Sequence, residues 1–350
     1  MTLWSVFDTS SPMEFIPKAP FSDELAQRKG DHIELANKAR TSASKIDSRF
    51  NYEPLFFAHP NSEAKWKTKF LNFDLDYPVW VSSMTGGTEH AKNINENLAK
   101  LCAEFKLGMG LGSCRALLTD DSRLNEFAVR KFMGSQPLFA NIGIAQVEEL
   151  VANGTENKLN EMVKKVEADG LIIHINPLQE WFQPEGDRFT KPPLETLTRV
   201  LDKLQTKIII KEVGQGMGPK SLRALLELPI AGIELAAFGG TNFTLLEYLR
   251  ATKDETKEPF INVGHSAREM VDILNALPTR NKEFIISGGI TSMLDGYELK
   301  TKLKAKSLIG MASAFLTPAL NDYETLRTYF LRQREALLTA RDLLVNREEE

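Results

Sequence analysis

The 350-residue sequence has few of the features that mark membrane and secreted proteins. Its two cysteines, Cys102 and Cys114, are too few for a disulfide framework and lack metal-ligand spacing, so we expect a reducing, cytoplasmic setting. No stretch approaches about 18 consecutive apolar residues, and residues 1–20 carry charges and prolines where a signal peptide has its apolar core. The sequence therefore predicts no membrane span.

Long blocks of one charge are also scarce. The 43 basic and 47 acidic residues are mixed along the chain, the net charge is −4, and the one notable block is Glu348–Glu350. A basic stripe, which is the usual electrostatic signature of nucleic-acid binding, is missing from the sequence. We expect a small-molecule partner and no nucleic acid.

Short runs rich in Val, Ile and Leu are abundant, and each has the length of a buried strand. Eight such runs lie at residues 79–83, 107–112, 137–142, 171–175, 207–213, 231–236, 284–288 and 306–311. Most are separated by segments with helical periodicity, which indicates repeated strand–helix units around a parallel sheet. Eight units predict an α/β fold of the TIM (β/α)8 barrel type, with a doubly wound open sheet as the alternative.

The barrel is expected to occupy residues 78–320. An N-terminal extension, residues 1–77, precedes it, and a charged helix at residues 321–350 follows it. The longest gap between predicted strands lies between the sixth and the seventh. It predicts an elaborated loop with an extended stretch at Phe260–Val263, followed by a helix that carries Met270.

Glycine and polar residues end the predicted strands. In a barrel these ends meet at one face, where barrel enzymes keep their active sites. Ser287–Gly289 and Gly310–Ser313 follow the last two strands, where small residues let backbone N–H groups approach a phosphate. Lys211 ends the fifth strand as a fixed cation within reach of a ligand. Together these features predict a phosphate-bearing cofactor.

The run from His174 to Glu180 carries the densest set of polar groups. His174 and Asn176 are two residues apart on a strand and share one face, and Pro177 ends the strand before Gln179 and Glu180. One carboxylate usually binds Mg²⁺ only together with substrate phosphates. Glu180 therefore predicts a phosphorylated substrate.

Basic residues elsewhere fit such a substrate. On the helix-like stretch Glu24–Ala39, Arg28 and His32 share one face, and Lys29 adds charge beside them. Arg115, at a strand end, offers a bidentate phosphate contact that a lysine could not supply.

Nine short motifs occur in order along the chain. They are Arg28-Lys29-x-Asp31-His32-Ile33, Met84-Thr85-Gly86-Gly87, Gly112-Ser113-x-Arg115, Ala140-Asn141-Ile142-Gly143, His174-x-Asn176-Pro177-x-Gln179-Glu180, Pro184-Glu185-Gly186-Asp187, Lys211-Glu212-Val213-Gly214, Gly239-Gly240-Thr241 and Ser287-Gly288-Gly289-Ile290. Together they resemble type 2 isopentenyl diphosphate isomerase, the FMN-dependent family that interconverts isopentenyl and dimethylallyl diphosphate in isoprenoid biosynthesis. The chain differs from the family pattern at Cys114, at Phe238 and at residues 262–266.

The resemblance implies a set of site residues. FMN would be held by Ser83, Met84, Thr85, Ser113, Asn141, Lys211, Thr241, Gly288, Gly289, Ala312 and Ser313. The substrate would be bound by Arg28, Lys29, His32, Ser113, Arg115, His174, Asn176 and Gln179. Gln179, His174 and Asn176 would be catalytic, and Glu180 would hold Mg²⁺ against the diphosphate.

The resemblance also implies the chemistry and the assembly. Reduced FMN would act as acid and base with no net redox change, and NADPH would serve only to reduce it. The family is commonly a homo-oligomer, a tetramer or an octamer.

Two other functions fit part of the sequence. An FMN-dependent oxidoreductase of the 2-hydroxy acid oxidase type would share the strand ends but would usually need a His–Arg pair, for which His265 and Arg268 are the candidates. A non-catalytic flavin-binding protein would have no need for Gln179 and Glu180. The isomerase is the function that the sequence favours.

Overall fold

The computed structural model describes residues 23–61, 63–84, 89–251 and 254–347. The chain divides into two compact units, Met1–Ser48 and Arg49–Glu350. In the first unit the described residues form helix α1, Asp23–Leu35, and a 3-10 turn. The sequence predicted helical structure as far as Ala39, but the chain turns after Leu35, and Ala39 N–H donates to Leu35 O at 2.9 Å.

Three short strands open the second unit: β1 (Phe50–Tyr52), β2 (Thr68–Phe70) and β3 (Phe73–Leu75). Strands β2 and β3 form an antiparallel hairpin, whose turn residues Leu71 and Asn72 have φ angles of 47° and 71°. Leu71 N–H donates to Glu283 Oε2 at 2.7 Å. This bond fixes the hairpin at the N-terminal end of the barrel strand that Glu283 begins.

Eight parallel strands then close a barrel in which each strand pairs with the next and the last pairs with the first. They are β4 (Val79–Val81), β5 (Gly108–Gly110), β6 (Leu138–Gly143), β7 (Gly170–His174), β8 (Lys207–Lys211), β9 (Gly232–Glu234), β10 (Glu283–Ile286) and β11 (Ser307–Met311). Each lies in one of the eight predicted runs, give or take one residue at an end. The predicted TIM barrel is confirmed, and the open sheet is excluded.

Helices connect the strands and cover the barrel. They are α2 (Glu89–Phe105), α3 (Arg130–Met133), α4 (Ile144–Ala152), α5 (Asn157–Lys165), α6 (Pro177–Phe182), α7 (Pro193–Val200), α8 (Pro219–Glu227), α9 (Phe243–Arg250), α10 (Ala267–Asn275), α11 (Met293–Lys302), α12 (Ser313–Asn321) and α13 (Tyr323–Leu343). Proline begins α6, α7 and α8, where its missing N–H would have no intrahelical partner. Within the described ranges, no helix combines the length and the apolar character needed to cross a bilayer.

Two local predictions were wrong. The stretch at Phe260–Val263 is not extended, because Glu258–Asn262 forms a 3-10 helix. The C-terminal helix ends at Leu343, and the chain continues as strand β12 (Leu344–Asn346), which pairs antiparallel with β1. The predicted domain boundaries at residues 77/78 and 320/321 stay a prediction.

Side chains alternate in direction along the barrel strands, and this alternation builds two layers inside the barrel. The apolar layer packs with the hairpin residues Phe70 and Leu75, and its members are Trp80, Phe139, Ile172, Ile209, Ile285 and Leu308. The intervening residues, such as Ile208 and Ile210, belong to the core that includes the surrounding helices. On each strand, the residue two positions after the member of the apolar layer faces the same way as that member. They form a second layer at the C-terminal ends: Ser82, Asn141, His174, Lys211, Ser287 and Gly310.

Candidate functional site

A cleft opens at the C-terminal ends of β4 and of β8 to β11. It holds about 620 Å³ of space outside protein atoms, part of it open to solvent. Most of the predicted cofactor residues line this cleft: Ser83, Lys211, Thr241, Gly288, Gly289, Ala312 and Ser313. Residues that are far apart in the sequence therefore meet on one side of the barrel face.

Glycine backbone forms one wall of the cleft. Gly288 has a φ of +86°, and a Cβ added there would lie 2.0 Å from Ala237 O, so no other residue fits this conformation and this space. A Cβ on Gly239, which has a φ of +117°, would lie 3.0 Å from Gly289 Cα. The loops after β9 and β10 thus pack backbone against backbone, and no side chains shield their N–H groups at these positions.

Lys211 supplies a buried positive charge. It ends β8, is only 7% exposed, and its Nζ donates to Glu212 O at 2.7 Å. The Glu212 carboxylate turns away into the backbone, where Oε2 accepts from Gly214 N–H at 2.7 Å and from Gln215 N–H at 2.6 Å. Burial raises the pKa of Glu212 above its ordinary value, against those hydrogen bonds and the Lys211 charge. Lys211 is therefore the basic side chain that lines the cleft.

His174 lies beside Lys211, because the two residues are paired in the register of β7 and β8. Its Nδ1 is 2.9 Å from Asn141 Oδ1 on β6, and the side-chain pair is partly buried. Burial, followed by the Lys211 charge, lowers the pKa of His174 to about 3. The imidazole is therefore neutral at pH 7, and its contact with Asn141 fixes the orientation of the ring.

Asn176, Gln179 and Glu180 bind one another at the start of α6. Asn176 Nδ2 donates to Gln179 Oε1 at 3.0 Å and to Glu180 Oε1 at 2.8 Å. The other Glu180 oxygen, Oε2, accepts from Asp187 N–H at 2.8 Å. Asn176 Oδ1 is buried and has no hydrogen-bond partner among the described residues. The four polar residues predicted from the run His174 to Glu180 thus lie at the end of β7 and the start of α6, and Asn176 connects Gln179 with Glu180.

Asp187 extends this group to Arg115. Its Oδ2 accepts from Arg115 Nη1 at 3.0 Å and from the buried Gln146 Nε2 at 2.7 Å. The Arg115 side chain remains 57% exposed, so the ion pair holds it at the rim, where it stays accessible to an anion.

Arg28, Lys29 and His32 lie on the exposed surface of α1, in the first unit. Met84, Ser113 and Asn141 do not line the cleft described above, and Asn141 contacts His174 instead. Thr85 lies outside the described residues. Between positions 23 and 347, the described residues contain no group of three or more His, Cys, Asp or Glu side chains able to hold a metal ion. The predicted metal ligand Glu180 is therefore a single carboxylate.

Sequence reasoning missed Glu234 and Ser82 in the cleft, Asp187 as the partner of Arg115, and Gln146 as a second donor to Asp187. Glu234 did carry a signal, because a carboxylate is unusual in an otherwise apolar barrel strand. Asp187 stood in a recognised motif without an assigned role.

The His–Arg pair that a 2-hydroxy acid oxidase would need is otherwise engaged. His265 Nδ1 is 2.7 Å from Glu269 Oε1, and Arg268 Nη2 is 2.7 Å from Glu298 Oε2. Neither residue lines the cleft.

No protein-family model matches the chain. Solved structures share its fold at low sequence identity. A mandelate oxidase variant with an FMN adduct superposes with a TM-score of 0.55 at 13% identity, covering 91% of this chain and 94% of that one. The flavin-binding domain of baker's yeast flavocytochrome b2 gives a TM-score of 0.58 at 13% identity, covering 84% and 71%. At such identities the likeness establishes the barrel fold alone.

Sequence relatives are much closer. Isopentenyl-diphosphate delta-isomerase of Rickettsia peacockii (strain Rustic) is 35% identical over 302 residues, which cover 84% of this chain and 86% of that protein. The enzyme of the same name from Rickettsia felis is 35% identical over 312 residues, covering 86% and 88%. Identity of this level along most of both chains extends well beyond the short motifs. The chain belongs to the isopentenyl-diphosphate delta-isomerase family.

Proposed function

We propose that the chain interconverts isopentenyl diphosphate and dimethylallyl diphosphate as a type 2, FMN-dependent member of its family, with Mg²⁺ on the diphosphate. The observation that carries the proposal is that the cleft and the polar cluster around Asn176 lie on neighbouring strands. The glycine-walled cleft with Lys211 adjoins the cluster of His174, Asn176, Gln179 and Glu180 through the pairing of β7 with β8. A cofactor and a substrate bound in these two places would meet.

The residues of the cleft fit FMN. The backbone N–H groups near Gly288 and Gly289 suit a phosphate, and so does the start of α12 at Ser313. Lys211 suits the negative charge of a reduced flavin ring. When bound, reduced FMN supplies ring nitrogens that donate and accept protons. Met84, Thr85, Ser113, Asn141, Thr241 and Ala312 stay proposed contacts.

The cluster around Glu180 has to give up internal hydrogen bonds when the substrate and Mg²⁺ bind. Both Glu180 oxygens accept internal N–H groups, and Mg²⁺ at Glu180 would displace the one from Asn176 Nδ2. That amide would then be free to donate to the diphosphate. Arg115 would add a bidentate contact from the rim, and Ser113 a hydroxyl. Arg28, Lys29 and His32 stay diphosphate contacts predicted from sequence.

Moving a carbon–carbon double bond requires a proton at one carbon and the loss of one at another, and an alkene is a very weak base. Gln179 carries no acidic proton at neutral pH. The neutral His174, with its pKa lowered to about 3 by burial and by Lys211, is no acid at pH 7 either. Gln179 is therefore assigned to orienting the reacting carbons, with His174 and Asn176 beside it. The shortage of an acid among these side chains is what favours a flavin.

A 2-hydroxy acid oxidase is the second candidate, because the structural neighbours include mandelate oxidase and flavocytochrome b2. The engagement of His265 and Arg268 with Glu269 and Glu298 argues against it. A non-catalytic flavin-binding protein would leave the organised Gln179–Glu180 pair without a purpose.

An anaerobic assay with isopentenyl diphosphate, FMN, NADPH and Mg²⁺ tests the three functions against one another. We expect dimethylallyl diphosphate to form with NADPH consumed only to reduce the flavin. NADPH oxidation without that product would contradict the isomerase. Oxidation of a 2-hydroxy acid with flavin reduction would support the oxidase instead.

NADPH as the reductant, a homo-oligomer of four or eight chains and a cytoplasmic location stay predictions from the sequence. Light scattering on the purified chain would measure the oligomeric state directly.

A further inference from the structure

Glu234 is a buried carboxylate in the wall of the cleft. It is the last residue of β9, is 1% exposed, and lines the cleft beside Ser287. Its Oε1 accepts from Ser287 Oγ at 3.1 Å, whereas its Oε2 is buried and has no hydrogen-bond partner among the described residues. Lys211, its neighbour in strand register, donates to Glu212 O instead. One carboxylate oxygen therefore remains available for a donor.

Two hydroxyls in the same cleft share this property. Ser82 Oγ and Ser83 Oγ, which follow β4, are buried and lack partners in the described part of the chain. Gly310 keeps the space between Ser82 and Ser287 open, because a Cβ at position 310 would lie 2.8 Å from both Ser82 Oγ and Ser287 Cβ. Buried polar groups in native proteins are almost always hydrogen-bonded, so three unmet groups in one cleft indicate a ligand that satisfies them.

The three groups restrict the chemistry of that ligand. The unpartnered oxygen of Glu234 is a hydrogen-bond acceptor, so it suits an O–H or N–H donor better than the oxygens of a phosphate. Serine hydroxyls both donate and accept. A chain of hydroxyl groups satisfies all three, because each hydroxyl can donate to the carboxylate or exchange hydrogen bonds with a serine.

We propose that Glu234, with Ser82 and Ser83, forms the subsite for the polyol chain of the flavin, in which a ribityl hydroxyl donates to Glu234 Oε2. This inference rests on the proposed FMN cofactor and adds residues that neither the motifs nor the predicted contacts include, apart from Ser83. Glu234 on β9 lies between Lys211 on β8 and the Gly288–Gly289 loop after β10, where a chain linking ring to phosphate has to pass. Ser82 and Ser83 line the same cleft from the end of β4, two strands beyond β10.

Three flavins that differ in one part each test the proposal. The flavin-free chain of 350 residues is titrated with FMN, with riboflavin and with lumiflavin. Riboflavin keeps the polyol chain but lacks the phosphate, and lumiflavin has the ring alone. Binding is measured by flavin fluorescence. For Glu234→Leu we expect about a tenfold loss of affinity for both FMN and riboflavin, as for the loss of one buried hydrogen bond, and no change for lumiflavin. Glu234→Gln keeps an acceptor oxygen and should recover most of the loss.

A matched pair of serine variants serves as control. Ser82→Ala should weaken FMN and riboflavin about threefold. Ser307→Ala removes a buried hydroxyl that has no partner in the described part of the chain, at the start of β11, and should change none of the three affinities. If Glu234→Leu does not fold, Glu234→Gln and the serine pair carry the test.

The outcomes separate this inference from the cofactor proposal. If the wild-type chain binds no flavin, FMN itself is wrong. If it binds FMN but the Glu234 and Ser82 variants lower all three affinities equally, or none, the polyol subsite is wrong. In a crystal structure with FMN we expect a ribityl oxygen within about 3.2 Å of Glu234 Oε2. A water or a ring atom in that position would overturn the proposal.

Discussion

The two sides of the barrel's C-terminal face differ in what their polar groups bind. In the cleft, Ser82 Oγ, Ser83 Oγ and Glu234 Oε2 are buried without partners among the described residues. Around α6, both Glu180 oxygens and Gln179 Oε1 are already hydrogen-bonded within the protein, and Asn176 Oδ1 is the buried side-chain atom of this group that has no partner among the described residues. We therefore expect the cleft to hold a ligand that stays bound, and the other side to hold one that binds and dissociates.

This difference has an energetic basis. Unmet buried groups cost free energy until a ligand satisfies them, so binding in the cleft gains the full value of each new hydrogen bond. Around Glu180 each ligand bond replaces an internal one, and only the difference contributes to affinity. A resident cofactor needs the first arrangement, and a substrate that must leave as product is better served by the second.

The largest effect should come from closing the glycine wall. Gly288→Ala adds a Cβ that would lie 2.0 Å from Ala237 O at a φ of +86°, so the loops after β9 and β10 must separate. We expect FMN affinity to fall about a hundredfold or more, as measured by flavin fluorescence. Gly154→Ala is the control, since its φ is +65° but nothing lies within 4 Å of the added Cβ. Unchanged FMN affinity in Gly288→Ala would show that the glycine wall is not part of the FMN site.

The second-largest effect should distinguish the role of the cluster around α6 from that of the cleft. Gln179→Ala removes the side chain assigned to the reacting carbons without touching the cleft, so we expect turnover to fall about a hundredfold with FMN affinity unchanged. Gln183→Ala, at the end of the same helix, should retain turnover. Normal turnover in Gln179→Ala would exclude Gln179 from the mechanism.

Glu180→Gln tests whether Mg²⁺ binds Glu180 in place of an internal hydrogen bond. The amide keeps an oxygen for Asp187 N–H but lacks the charge that attracts the ion. The Mg²⁺ concentration for half-maximal activity should rise about tenfold, whereas Glu149→Gln, on the exposed surface of α4, should leave it unchanged. An unaltered Mg²⁺ dependence would show that the metal binds elsewhere.

The last prediction concerns the stability of the fold and His174, which lies between the two sides. Its folded-state pKa of about 3 lies below the ordinary value near 6.5, so as the pH falls the unfolded chain takes up the proton first. The free energy of unfolding should therefore decrease below about pH 6.5, with a contribution from this group approaching about 1.4 kcal/mol per pH unit. Denaturant unfolding of His174→Gln should lack this contribution. An identical pH dependence in both proteins would contradict the neutral, buried imidazole.

Local patterns predicted the barrel well, because each strand is a short run of Val, Ile and Leu whose length and burial depend on its own residues. They failed where distant partners decide the structure. The carbonyl groups of Ile261 and Val263 accept from Asn242 and Gln215, bonds that favour a 3-10 turn over a strand. Strand β12 exists because β1, almost 300 residues earlier, pairs with it.

The candidate site divides in the same way. His174 and Asn176 could be placed on one face from their spacing, and Gln179 and Glu180 from the proline that ends the strand. The link from Arg115 to Asp187 spans 72 residues, and no local rule predicts it. Glu234 stands out in the sequence as an acidic residue in a strand, but the pairing of β9 with β10 decides that its Oε2 has no partner among the described residues.

The central claim is that FMN in the cleft is required for isomerisation on the neighbouring group. The most direct measurement strips the chain of flavin and titrates FMN back under anaerobic, reducing conditions with Mg²⁺ and isopentenyl diphosphate. We predict that dimethylallyl diphosphate formation is absent without flavin and rises in proportion to bound FMN until one FMN is bound per chain. Full isomerase activity in the flavin-free chain with Mg²⁺ alone would contradict the claim.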